Sequence, residues 1–239
     1  MLFLRMPFKV ILNVLATLLI FAVIATAQIP GLCNTGQTKA IASGCTAVLV
    51  TPNPPGGGPS RDGNWALAFP YPTPFTGVPD PCGLTTFGPT WVDTLDEPLP
   101  NSTVSEWISR YDGEGDRPVG WYVYATSFPV PSVLAGGVVP TGVTINGQLS
   151  SDNTTFFIYL ESPAASAKCS LVTGPPFPVN PYEGAGQVDQ NQWWPFSLKN
   201  KLELTAGADA SLYFVVSNTT DNPSPTGLMV EFFPTSTFN

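Results

Sequence analysis

The chain has 239 residues, 17 of them acidic and 9 basic, with no histidine and a formal net charge of −8. The few Lys and Arg are scattered and leave no basic stripe to neutralise phosphates, which argues against nucleic acid and anionic membrane surfaces as partners. Without histidine, Ser/His/Asp and Cys/His nucleophile systems are excluded, and a zinc site loses its usual nitrogen ligands.

Residues 1–27 have the three parts of a signal peptide. Arg5 and Lys9 precede an apolar run from Val10 to Ile24, and Ala25-Thr26-Ala27 offers a small-residue cleavage site before Gln28. The run is shorter than the roughly twenty apolar residues that span a bilayer, so removal is preferred over an uncleaved anchor. About 210 residues then remain, enough for one domain with a sizeable core. No second long apolar stretch follows, so the mature chain is expected to be secreted, free of the membrane. Cys33, Cys45, Cys82 and Cys169, after an export signal, read as two disulfides in an oxidising compartment. Three pairings are open. We favour Cys33 with Cys45, because a short loop would tie down a segment that otherwise frays, which leaves Cys82 with Cys169. No C-x-x-C spacing occurs, so metal ligation by these cysteines is the weaker reading.

Residues 28–60 read as an N-terminal arm. Thr51–Ser60, TPNPPGGGPS, cannot be strand throughout and serves as linker or long loop. The arm either docks a strand at Thr46–Val50 on a sheet edge or is a tether stapled by its own disulfide. Residues 61–239 form the main domain. Period-two alternation predicts strands at Asn64–Phe69, Gly120–Phe128, Val143–Gly147, Thr154–Leu160, Leu202–Thr205, Ser211–Ser217 and Leu228–Phe233. In Gly120–Phe128, Trp121, Val123 and Ala125 face one side, while Tyr122, Tyr124, Thr126 and Phe128 face the other. Ser150–Asn153 reads as a turn, and Asn218–Pro223 as a hairpin connection. With 27 Pro, 22 Gly and few helical periods, the pattern selects an all-β antiparallel sandwich or barrel over a parallel α/β sheet, and a β-sandwich, a jelly roll, is the preferred fold. No fixed-period repeat is visible, which removes solenoids and propellers.

Six blocks, in this order, carry a family resemblance: DGNW at Asp62–Trp65, SEWIS at Ser105–Ser109, GWYVYATSF at Gly120–Phe128, INGQLSSDNTT at Ile145–Thr155, PFSL at Pro195–Leu198, and LYFVVSNTTDNPSPTGLMVEF at Leu212–Phe232. The chain resembles exported bacterial proteins of the PEP-CTERM type, whose ectodomains look like galactose-binding-like jelly rolls. The resemblance implies that fold and an exported setting, and sugar binding follows from it by fold analogy. It departs from the family in two places. The family's terminal Pro-Glu-Pro motif, membrane segment and basic tail are missing before Phe238 and Asn239, so the resemblance implies a protein that is released or held by other contacts. IYLES at Ile158–Ser162 stands where relatives read Leu-Asn-Gly, and is followed by an insertion from Pro163 to Val188.

Candidate sites divide by chemistry. A glycosidase needs two carboxyls about 5 to 9.5 Å apart. Sequence cannot pair Asp93, Asp96, Glu97, Glu106, Glu161, Glu183 or Asp189, and solvated loop acids are the preferred reading. No catalytic residue is therefore assigned. In DGEGD, Asp112, Glu114 and Asp116 offer the alternate hard oxygen ligands that calcium takes. Three are too few, no EF-hand continuation follows and Arg117 is adjacent, so an exposed turn is preferred and no other cofactor is expected. Trp193 and Trp194 in QNQWWPF would point to opposite faces if extended, one of them a platform for a sugar ring. Tyr182, Asn191 and Gln192 would complete a ligand-binding set within the Ser162–Trp194 loop. The alternative is that both tryptophans pack beneath that loop. Trp65, Trp107 and Trp121 are expected in the core. The preferred function is a secreted, non-catalytic module meeting glycans or cell-surface components. A secreted carbohydrate-active enzyme and a structural matrix or adhesive protein are the alternatives. N-terminal sequencing of exported protein is expected to give Gln28 first, and a mature chain retaining Met1 would contradict the leader.

Overall fold

The structure is a computed structural model that describes residues 29–37, 44–45, 60–71, 81, 84, 86–92, 99–100, 102–110, 119–152, 154–162, 169–171, 193–200, 204–218 and 226–239. Every regular element among these is a strand: β1 (Arg61–Tyr71), β2 (Gly88–Val92), β3 (Ile108–Ser109), β4 (Gly120–Pro129), β5 (Val143–Asp152), β6 (Thr154–Glu161), β7 (Cys169–Leu171), β8 (Trp194–Asn200), β9 (Asp209–Asn218), β10 (Gly227–Phe232) and β11 (Thr237–Phe238). All pairings are antiparallel. One wing is β1-β4-β9-β6-β7. The other is β10 and β11 along one edge of β5 with β8 on its far edge, and short β3 and β2 join the wings.

The strands curl so that both wings bury one face in a single core. Trp65 and Leu67 of β1, Tyr122, Tyr124 and Phe128 of β4, and Leu212, Phe214 and Val216 of β9 meet Ile145 and Leu149 of β5, Phe196 and Leu198 of β8, and Leu228, Val230 and Phe232 of β10. Four aromatic rings lock this contact. Trp65 stacks on Phe232 at 6.3 Å and meets Phe214 at 5.6 Å, while Phe196 sets its edge against Phe214 and Phe232 at 6.1 and 6.2 Å. Each such pair stabilises by about 0.5–1.5 kcal/mol beyond area burial. The architecture is an antiparallel all-β fold of sandwich type, as the alternation predicts.

The chain changes wings where the sequence suggests turns. β5 belongs to one wing and β6 to the other, with a single residue between them, so Ser150, Ser151 and Asp152 are buried strand and the corner is sharper than the expected turn. β9 and β10 also lie in opposite wings. They do not pair with each other, so they are not the two strands of a hairpin, and residues 219–225 between them lie outside the described residues. Leu204 and Thr205 are not strand either. Leu204 is buried and Thr205 opens a turn closed by Ala208 N–H donating to its carbonyl. The predicted strand at Thr46–Val50 lies outside the described residues. Proline falls where ladders permit it: Pro195 is on edge strand β8, and Pro70 lies in the register shift between Ala68 and Tyr71 of β1.

The start of the arm is part of the sandwich. Ile29 and Leu32 lie in the main core. β10 pairs with β3 only at Leu228, and beyond it Thr35 and Asn34 act as a substitute strand. Val230 N–H donates to Thr35 Oγ1, Phe232 N–H to Asn34 Oδ1, and Thr35 N–H to the Val230 carbonyl. The Thr35 carbonyl in turn accepts from Glu106 N–H.

Gly147 on β5 has no room for a side chain: a Cβ there would lie 2.4 Å from the Glu231 carbonyl oxygen of β10 and 2.6 Å from the Phe196 ring Cζ. Gly147→Ala is expected to cost about 1–3 kcal/mol by overpacking against the Glu231 carbonyl and the ring, and Phe196→Leu, which leaves the carbonyl in place, is expected not to restore the parent stability. Denaturant unfolding of the single and double variants checks it; an unaltered midpoint in Gly147→Ala would contradict the packing.

Candidate functional site

Of the residues singled out for ligand binding, the structure describes Trp193 and Trp194. Trp194 opens β8 in phase with Phe196 and Leu198, half-buried, and its indole N–H is buried with no hydrogen-bond partner among the described residues. Trp193, also half-buried, immediately precedes the strand. Tyr182, Asn191 and Gln192 lie outside the described residues, as do Asp112, Glu114 and Asp116. Cys33 is bonded to Cys45, as expected. Cys169 is the first residue of β7, opposite Glu161, and Cys82 lies outside the described residues. Among the described residues no group of three His, Cys, Asp or Glu could hold a metal ion, and no helix is long and apolar enough to cross a membrane.

The side chains that the structure does bring together lie on the outer face of β1, β4, β9 and β6. Because strands alternate, the residues not given to the core point outward there. At one end they are apolar: Ala68, Trp121, Val123, Ala125, Tyr213 and Val215 form a second buried cluster, covered by Leu84, Phe87 and Tyr159. At the other end they are polar. Ser127 and Ser211, opposite each other on β4 and β9, have hydroxyls 2.8 Å apart, and both border a groove of about 750 Å³. Asn64, Arg61, Asp209 and Tyr213 also line it. Phe87 stacks on Tyr213 at 6.1 Å and forms one wall.

The disulfide-bonded arm also lines it, through Gly31, Cys33 and Gly44. Gly31 has φ +78°, and a Cβ on it would lie 2.7 Å from Pro129 Cδ, so the arm backbone lies directly against the end of β4. Two further bonds fix the arm. Trp65 Nε1–H donates to the Cys33 carbonyl, and Gly36 N–H donates to Asp62 Oδ2 at 2.7 Å. Asp62 is fully buried, and its other oxygen accepts from Asn64 N–H at 2.8 Å.

Electrostatics follow from burial. Burial pushes the Asp62 carboxyl above the usual carboxylate range, partly offset by the N–H groups of Asn64 and Gly36. Glu106, beside the arm, is also raised by burial. Tyr213 donates its hydroxyl to Glu161. Burial, then that carboxylate, hold the phenol well above its ordinary value, so it stays a donor. The sequence does not single out the groove, because Ser127 and Ser211 are ordinary outward strand residues until the register aligns them. No protein-family model, curated protein or solved structure matches the chain.

The raised carboxyl of Asp62 has a defined effect on stability. Above the pH at which an exposed Asp ionises, the unfolded chain has released a proton that folded Asp62 still holds. Stability from this group therefore falls as pH rises through that window, and levels off once folded Asp62 has ionised. Asp62→Asn removes the dependence. Unfolding from about pH 4 to about pH 7 is expected to shift the difference between variant and parent progressively in favour of the variant, and a difference constant with pH would contradict the assignment.

Proposed function

We propose that the chain is an exported, non-catalytic β-sandwich module that binds a glycan in the groove on the outer face of β1, β4 and β9. The observation that carries this reading is the juxtaposition of the Phe87–Tyr213 stack with the exposed Ser127–Ser211 hydroxyl pair. A sugar ring has apolar C–H faces, which suit an aromatic ring, and peripheral hydroxyls, which suit side chains that both donate and accept. Export is supported by the leader-like first 27 residues and by the Cys33–Cys45 bond, which persists in oxidising compartments. The likeness to PEP-CTERM-type ectodomains points the same way. Trp193 and Trp194, at the start of β8, offer a second aromatic surface.

One observation favours hydrolysis as a second reading. Glu161 is opposite Ser211 in the β6–β9 ladder, and Asp209 lies two residues from Ser211 on β9, so two carboxylates flank one end of the polar face. The Tyr213 hydroxyl already occupies Glu161, which suits a positioned structural carboxylate better than an acid awaiting substrate. Reducing-end release from bound glycans separates the two readings.

A glycan array with the mature protein is expected to give binding that Phe87→Leu weakens about tenfold, because the apolar bulk stays while the aromatic face is lost. Binding unchanged in Phe87→Leu would remove the groove from the reading. Binding lost instead in Trp193→Ala or Trp194→Ala would move the site to β8.

A further inference from the structure

We infer that the protein pairs with a second copy of itself, as a two-fold dimer, through the uncharged end of the sandwich formed by the loop between β4 and β5 and the hollow beside it. The inference is independent of the glycan reading. Among the described residues, the large apolar side chains left exposed are Val133, Val138 and Val139, at 53, 57 and 52%, and all three belong to this one loop. Exposed valines scattered singly need no explanation, but three clustered within residues 133–139 mark a contact surface. The loop holds them in place. Leu134 N–H donates to the Val138 carbonyl and Gly137 N–H to the Leu134 carbonyl, while Gly136 and Gly137, at φ +89° and +82°, let the chain reverse between them.

The hollow, of about 380 Å³, is lined by Ile29, Pro129, Pro131, Val133, Leu134 and Phe238 among others. Phe238 meets the core ring of Phe128 at 6.1 Å, so the hollow backs onto the core. Leu134, which lines it, is the residue that fastens Val138. An apolar projection and an apolar hollow thus lie side by side on one surface. An isologous contact requires this arrangement, because about a two-fold axis the projection of each copy meets the hollow of the other.

Charge selects the partner. With a net charge of −8, two copies repel over most of their surface. This end is exempt: no charged residue occurs from Pro118 to Ser151 or from Phe232 to Asn239, and none lines the hollow. Asp209, opposite Pro129, lines the groove and not the hollow. A strongly charged partner finds no counter-charge here. A membrane surface favours Lys or Arg beside the residues that enter it, and none occurs between Arg117 and Lys168. A second copy needs only matching shape and apolar area.

The test is sedimentation equilibrium of the exported protein from micromolar to millimolar concentration. A monomer–dimer equilibrium is expected, and added sodium chloride is expected to strengthen it, since salt screens the mutual repulsion and leaves the apolar contact intact. Val138→Asp and Val139→Asp are each expected to weaken the dimer about tenfold or more by bringing like charges into the contact, with the unfolding midpoint unaltered because both positions are exposed. Val138→Ile is expected to keep it. A monomer at every concentration, assembly that grows beyond the dimer, a dimer that salt weakens, or one that both Asp variants leave unaltered would overturn the inference. So would a monomer that sediments with phosphatidylcholine vesicles and loses this in Val138→Asp, which would assign the same valines to a lipid surface.

Discussion

The contact of Trp65 with both wings and the arm is the constraint on which the rest of the structure depends. Its ring, held on β1, lies flat on Phe232 from the opposite wing, and its N–H reaches the Cys33 carbonyl on the arm. An indole suits this role because it buries a large apolar surface yet has a single donor that must be satisfied. The disulfide loop, the Asn34–Thr35 bonds to β10 and the Gly36 bond to Asp62 all radiate from this point. The groove inherits its geometry from it, since part of its lining is the arm backbone that Trp65 holds in place.

The outer face of β4 and β9 shows how a sandwich can carry a site without spending its core. Inward residues such as Tyr122, Tyr124 and Phe214 are fully buried and answer only to packing. Outward residues of the same strands change from Trp121 and Val123 at one end to Ser127 at the other. The apolar end is covered, and the polar end beside it is open. Side chains on paired strands are held more closely than side chains on loops, so hydroxyls at Ser127 and Ser211 keep their spacing without a ligand present. On the other wing, Glu231 accepts from Ser102, Ser105 and Gln148, and its acceptors are occupied in pinning the Ser102–Ser105 loop to the sheet.

Much of this was legible in the sequence, and the exceptions share a physical cause. Alternation located β1, β4, β6, β9 and β10, because each has one apolar face over six residues or more, and it assigned the two faces of Gly120–Phe128 as they are. It missed β2, where Gly88 and Pro89 break the pattern, and also β7 and β11, too short to show a period. Asn218–Pro223 has turn chemistry, but residue type does not say whether a turn joins neighbouring strands or opposite wings. The arm was half legible. Cys33–Cys45 followed from spacing and compartment, whereas the insertion of Ile29, Leu32 and Thr35 into the sandwich depends on partners nearly two hundred residues away. The groove was the least legible feature, since its lining comes from segments far apart in sequence and no window along the chain contains it.

The arm also affects the order of assembly. Asn34 and Thr35 are made early, yet their partners Phe232 and Val230 are made about two hundred residues later. While the chain is being synthesised the edge of β10 that they cover does not yet exist, and Ile29 and Leu32 have no core to enter. Contacts so distant in sequence form late and slowly, because the loop must close before any bond rewards it. The short ring between Cys33 and Cys45 needs no such wait. It can be sealed while the rest of the chain is still arriving, and it then delivers a pre-shaped plug to the open seam instead of a loose strand that could pair with another molecule.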